Sequence, residues 1–183
     1  MTLSMTMGMT IGVRRTLWMM CGELIGVGLV AAASVIGVAA AMLQYPLFFT
    51  LIKYLGGLYL GYLGIQMWLS KGRMAIDLNL GANTHNPPSQ LALQGFITAV
   101  ANPKGWAFFI ALLPPFIEAN RPLFGQLSVL LSIILTIEFF SLILYASGGK
   151  TLNHLLQRKG NVQLLNRVAG TLMLGVGVWL ALS

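Results

Sequence analysis

Apolar residues run along this chain in long blocks, and the polar residues gather in the gaps between them. A helix needs roughly 20 apolar residues to cross a hydrocarbon core. Five blocks reach or approach that length: Leu17–Leu43, Leu47–Leu69, Leu93–Ile117, Leu123–Ala146 and Val168–Ser183. The pattern predicts an all-α fold, a polytopic membrane bundle of about five transmembrane helices, making a single integral-membrane domain over residues 1–183. The last block is short. Met1–Gly12 is apolar too, but cannot span, and reads as the tail of a helix whose beginning lies outside the chain.

Most gaps are short. Gly72–Gln90, with Asn83, Asn86, Pro87 and Pro88, reads as a flexible connector. Thr151–Ala169 places Leu152, Leu155, Leu156, Leu165 and Val168 at helical spacing beside Arg158, Lys159 and Arg167. That predicts a helix lying on the membrane surface, interrupted at Gly160. In the second block, Gly56, Gly57, Gly61 and Gly64 let two helix backbones approach closely in lipid. Glycine faces pack within a chain as readily as between chains, so a homo-oligomer stays open.

Composition agrees with the pattern. The chain is 57% hydrophobic and 8% charged, against about 25% charged in a soluble domain, so its surface belongs in a lipid bilayer. The net charge of +7 does not point to nucleic acid, because the basic residues form no stripe on a polar face. They mark topology instead. Arg14, Arg15, Lys71, Arg73, Lys150, Arg158, Lys159 and Arg167 all fall on one side if every block crosses, leaving Lys53 and Arg121 on the other. Lys and Arg collect in cytoplasmic loops. The first side is therefore cytoplasmic and the C-terminus outside. Cys21 is the single cysteine, which excludes an intrachain disulfide and a CxxC redox pair.

Polar groups inside the blocks carry the candidate chemistry. Glu138 lies about 13 Å inside its span at 1.5 Å per residue, near the midplane. Intramembrane acids are costly and mark proton or ion paths, so Glu138 is read as a proton carrier or as the partner of a substrate ammonium. A protonated or hydrogen-bonded structural acid is the other reading. Glu23 is shallower, flanked by Gly22 and Gly26, which would open room beside its carboxylate. An interfacial role stands beside the functional one.

Asn102-Pro103-Lys104 interrupts the third block. Proline breaks a helix interior but suits the first helical position, and asparagine is a good N-cap. A helix therefore starts at Pro103, and from Lys104 to Ile117 it is about 20 Å long, too short to cross alone. Broken helices in transporters turn positive N-terminal ends toward substrate anions, which suits a carboxylate. Alternatively the span begins at Pro103, Lys104 snorkels to the headgroups, and Leu93–Ala101 lies on the surface. Pro114-Pro115 sets the exit of that helix. Ten methionines suggest soft-metal handling, but no cluster of Cys or His joins them, and methionine is a common apolar filler. With four acids and two histidines, His85 and His154 both in connectors, the chain shows no enzyme-like constellation and calls for no cofactor.

Lys53 through Gly64 (KYLGGLYLGYLG), the run from Gly95 through Asn102-Pro103-Lys104 to Pro115-Phe116, the Gly12-Val13-Arg14-Arg15 element and Gly22-Glu23 follow one another at a spacing that resembles the LysE/RhtB family of amino-acid exporters. The resemblance covers nearly the whole chain. It implies a six-helix bacterial inner-membrane protein that exports amino acids or small derivatives by proton antiport. That family usually opens with a helix bearing Pro-Gly-Pro-Asn, which is not found here, so the chain reads as N-terminally truncated relative to the family. Two alternatives follow: an inactive fragment of such an exporter, or a metal-ion exporter of a related superfamily.

Overall fold

A computed structural model of the protein describes residues 2–44, 46–70, 86–118, 120–148 and 159–182. Its helices are α1 (Thr2–Thr10), α2 (Val13–Gln44), α3 (Pro46–Leu69), α4 (Pro88–Val100), α5 (Pro103–Leu112), α6 (Leu123–Ser147) and α7 (Lys159–Leu182), with a 3-10 turn at Pro114–Phe116. No strand occurs among the described residues. Within α2 and α6, Val13–Ala40 and Leu123–Ser147 are long and apolar enough to cross a membrane. The 24 residues of α3 and of α7 extend about 36 Å at 1.5 Å per residue, more than a core of roughly 30 Å requires. Neither α4 nor α5 reaches that length alone. The all-α membrane bundle expected from the apolar pattern is what forms.

Contacts divide the chain into two compact units. The first comprises Met1–Leu29, Met74–Asn102 and Ser132–Arg158; the second comprises Val30–Arg73, Pro103–Leu131 and Lys159–Ser183.

The first unit includes α1. Met7, Met19, Met20, Leu91, Leu142 and Ala146 form its buried core cluster, so these methionines serve as apolar filler. Ser4 and Thr6 are buried beside them, and Ser4 Oγ donates to the carbonyl of Leu142 at 2.9 Å. Gly8 lies on the backbone of Ala146, where a Cβ would overlap the carbonyl oxygen. The α1–α2 corner turns at Gly12, whose φ of 82° lies in the left-handed region that favours glycine. Thr16 then donates both its N–H and its hydroxyl to the Gly12 carbonyl, at 3.2 and 2.9 Å. Arg15 donates to the Asn86 carbonyl at 2.7 Å, which ties the start of α2 to the approach to α4.

In the second unit, α3 packs along α7. A Cβ on Gly64 would stand 2.8 Å from the Gly170 carbonyl oxygen, and one on Gly177 would stand 2.8 Å from that of Gly57. The glycines of the second block therefore do bring two backbones together, as their spacing predicts. One end of this pair is polar. Trp68 Nε1 donates to Thr171 Oγ1 at 3.1 Å, Arg167 lies over the Trp68 ring at 5.1 Å, and Asn166 donates to Ser70 Oγ at 2.5 Å.

Those contacts correct the reading of Thr151–Ala169. Residues 159–169 are part of α7, continuous with the last span, and Gly160 does not interrupt them. Asn166 and Arg167 find partners on α3 and at its end, so their polarity does not force a separate surface segment. Leu152, Leu155 and Leu156 lie outside the described residues, as do Lys71, Arg73, Lys150, Arg158 and both histidines. Most of the Gly72–Gln90 connector is outside them too, and its final residues already belong to α4, which opens at Pro88.

Candidate functional site

The interruption at Asn102-Pro103 is present and has a local cause. Pro87 has extended backbone, Pro88 fills the first position of α4, and the helix ends at Ala101 with φ −78° and ψ −1°. Ala101 N–H still reaches the Ile97 carbonyl at 2.8 Å. An uninterrupted α-helix would go on to bond Asn102 N–H to the Thr98 carbonyl and residue 103 to that of Ala99, but proline has no N–H to donate. The Ala99 carbonyl is taken instead by Asn102 N–H, in a tighter turn at 3.3 Å. The chain restarts as α5 at Pro103, with Lys104 in its first turn. Asn102, Pro103 and Lys104 are all exposed. After Leu112 the helix gives way to the 3-10 turn at Pro114–Phe116, so the two prolines do set its exit.

Glu23 is buried, 7% exposed. A seam of small residues between α2 and α4 surrounds it. A Cβ on Gly22 would overlap the Ala92 carbonyl, and one on Gly95 would overlap the Met19 carbonyl and stand 2.9 Å from the Glu23 nitrogen. A Cβ on Gly26 would stand 2.7 Å from that of Ala99. The flanking Gly22 and Gly26 are expected to open room beside the carboxylate. That space is filled by the α4 backbone.

Glu138 stands on α6 in the same unit and is half-buried. Gly28 meets Leu135 at ordinary contact distance, while Met20 and Leu142 share the core cluster. Residue number thus rises along α2 as it falls along α6, so the two run antiparallel here. Glu23 lies between Met20 and Gly28, and Glu138 lies between Leu135 and Leu142. The two acids therefore stand along a common stretch of the two helices.

A family model described as LysE type translocator matches residues 1–183. The chain belongs to the LysE type translocator family. It is 30% identical to an uncharacterised membrane protein of Vibrio cholerae over 97% of this chain and 85% of that protein. It is 28% identical to a homoserine/homoserine lactone efflux protein of Salmonella typhimurium, over the same shares of each. To a leucine efflux protein of Salmonella choleraesuis it is 28% identical, over 88% of this chain and 76% of that one. No solved structure matches.

In this LysE-type translocator, then, the fold brings two of the five candidate site residues together, Glu23 and Glu138. Asn102 closes α4, the helix that packs against Glu23 through Gly95. Pro103 and Lys104 open α5, which packs in the second unit, where a Cβ on Gly56 would stand 3.0 Å from the Ala111 Cα. The candidate residues expected from the sequence do not include Ala92, Gly95 or Ala99. Gly95 and Ala99 stand four apart in α4, as Gly22 and Gly26 do in α2, with Ala92 one turn earlier, and small residues at such intervals are the available signal for a close helix crossing.

Proposed function

We propose that this LysE-type translocator exports amino acids or small amino-acid derivatives across the bacterial inner membrane in exchange for protons. The observation that carries the reading is the helix break at Asn102-Pro103, with Lys104 in the first turn of the helix that follows. A helix N-terminus carries partial positive charge from its unsatisfied N–H groups, and a lysine there adds a full one. Together they suit a substrate carboxylate. Glu138, with Glu23 beside it, supplies negative charge for a proton or a substrate ammonium. The burial of Leu91 and Gly95 against α2 supports α4 as part of the bundle and counts against a surface-lying segment before Pro103. The relatives named for homoserine and leucine efflux support the substrate class. In the proposed orientation the loops rich in Lys and Arg are cytoplasmic and the C-terminus is outside.

The test is efflux from cells making this chain, loaded with amino acids by feeding dipeptides, against cells with an empty vector. Selective release of one or a few amino acids is expected, steeper when the outside is acidic. Equal release from both cell types, with the protein abundant in the membrane, refutes the reading.

A further inference from the structure

Glu23 is carried on a peptide that another helix touches directly. Gly95 of α4 stands so close to the Glu23 nitrogen and the Met19 carbonyl that a single added carbon would collide with both. Gly22 and Gly26 meet Ala92, Phe96 and Ala99 in the same way, one on each side of Glu23 along the helix. Among the described residues the charged surroundings are sparse. No Asp, Glu, Lys, Arg or His occurs on α1 or α4, Glu138 is the one such residue on α6, and on α2 the others are Arg14 and Arg15 in its first turn. Helix docking therefore decides where the Glu23 carboxyl stands relative to Glu138. The same α4 ends at Asn102, seven residues beyond Gly95, about 10 Å along a helix axis.

We infer that the α2–α4 glycine seam positions the Glu23 carboxyl, with Gly22, Gly26 and Gly95 as positioning residues that act through Glu23. Any bulk added to the seam pushes α4 from α2, and so moves the acid and the helix that leads into the break together. This rests on the reading above, in which Glu23 takes part in proton-coupled export.

The test uses the full chain and two readouts. One is the external-pH profile of amino-acid efflux. The other is the rate at which the Glu23 carboxyl reacts with dicyclohexylcarbodiimide in isolated membranes, followed by mass spectrometry, which needs no transport. Gly26→Ala sets its methyl against that of Ala99, and Ala99→Gly makes room for it. Gly26→Ala is expected to change the labelling rate by about fivefold or more, within the range of coupling between touching residues, and to displace the pH profile. Adding Ala99→Gly returns both toward wild type. In a Glu23→Gln background, Gly26→Ala displaces the profile no further.

Unchanged labelling in Gly26→Ala at normal abundance overturns the inference, and so does a displacement of equal size in the Glu23→Gln background. If Gly26→Ala does not accumulate, Ala99→Gly alone loosens the same seam: altered labelling supports the positioning role, and wild-type labelling overturns it. Should Glu23→Gln itself export with a wild-type profile, the proton role of Glu23 fails, while the labelling still judges the seam.

Discussion

The hydroxyl of Ser4 donates to the backbone carbonyl of Leu142 at 2.9 Å, both groups buried and 138 residues apart in sequence. One turn further along α1, Gly8 presses on the backbone of Ala146. The two contacts fasten the same pair of helices but differ in kind. Ser4→Ala removes one hydrogen bond and leaves a carbonyl that already serves the α6 ladder, a loss of about 1 kcal/mol. Gly8→Ala forces a methyl into backbone that has nowhere to go, at about 1–3 kcal/mol or more. Thermal unfolding in detergent should show the glycine variant losing clearly more stability than the serine variant.

Trp68 gives its N–H to Thr171 and its ring face to Arg167. Trp68→Phe keeps an aromatic face and removes only the donor, at about 1 kcal/mol. Arg167→Ala removes the cation over the ring, worth about 0.5–1 kcal/mol at an exposed site. Both substitutions should lower the unfolding temperature modestly. Their effects should fall short of additive in the double variant, because the two contacts share one ring.

If Lys104 binds a substrate carboxylate, its loss is felt only by substrates that have one. Lys104→Ala should raise the half-saturating concentration for an exported amino acid about tenfold, the equivalent of 1.4 kcal/mol, while leaving its ester or lactone nearly unaffected. Lys104→Arg should recover most of the affinity. Competition efflux assays with acid and ester in parallel decide it: equal losses for both remove Lys104 from carboxylate recognition.

Orientation can be read chemically. In a Cys21→Ser background, cysteine at exposed position 121, beside the turn that opens α6, should react with a membrane-impermeant maleimide in intact cells. Cysteine at position 86, before α4, should react only after the cells are opened. The reverse pattern inverts the proposed topology.

The parts legible in the sequence are those with local causes. Pro103 cannot donate to Ala99, whatever surrounds it, so the break could be placed to the residue. The long apolar blocks of α2 and α6 likewise needed no knowledge of their neighbours. Where partners from distant parts of the chain decide, the reading slipped. The start of α7 was set too late because Arg167 and Asn166 looked like residues of a surface segment, and only the fold shows Trp68 and Ser70 waiting for them. Gly22 and Gly26 announced a gap but not its occupant, which is the backbone of α4. That Glu23 and Glu138 stand along one stretch depends on the antiparallel register of α2 and α6, which no local pattern encodes.

The turn that leads into α6 is held by the Arg121 N–H bond to the Glu118 carbonyl at 3.2 Å and clasped by one side chain. Gln126 accepts the Glu118 N–H at 2.7 Å through Oε1 and donates through Nε2 to the carbonyls of Glu118 and Arg121, at 3.0 and 3.2 Å. Glu118 and Arg121 also pair with each other at 2.7 Å, but both are exposed, and such pairs contribute little. The clasp thus depends on a group with two polarities at once. A carboxylate could take the Glu118 N–H but would turn its charge on two carbonyl oxygens, and an ammonium could serve the carbonyls but not the N–H. Asparagine has the chemistry without the reach. At position 126, then, neither charge nor size alone suffices as a substitute, and the least conspicuous polar residue of the turn is the one with the fewest replacements.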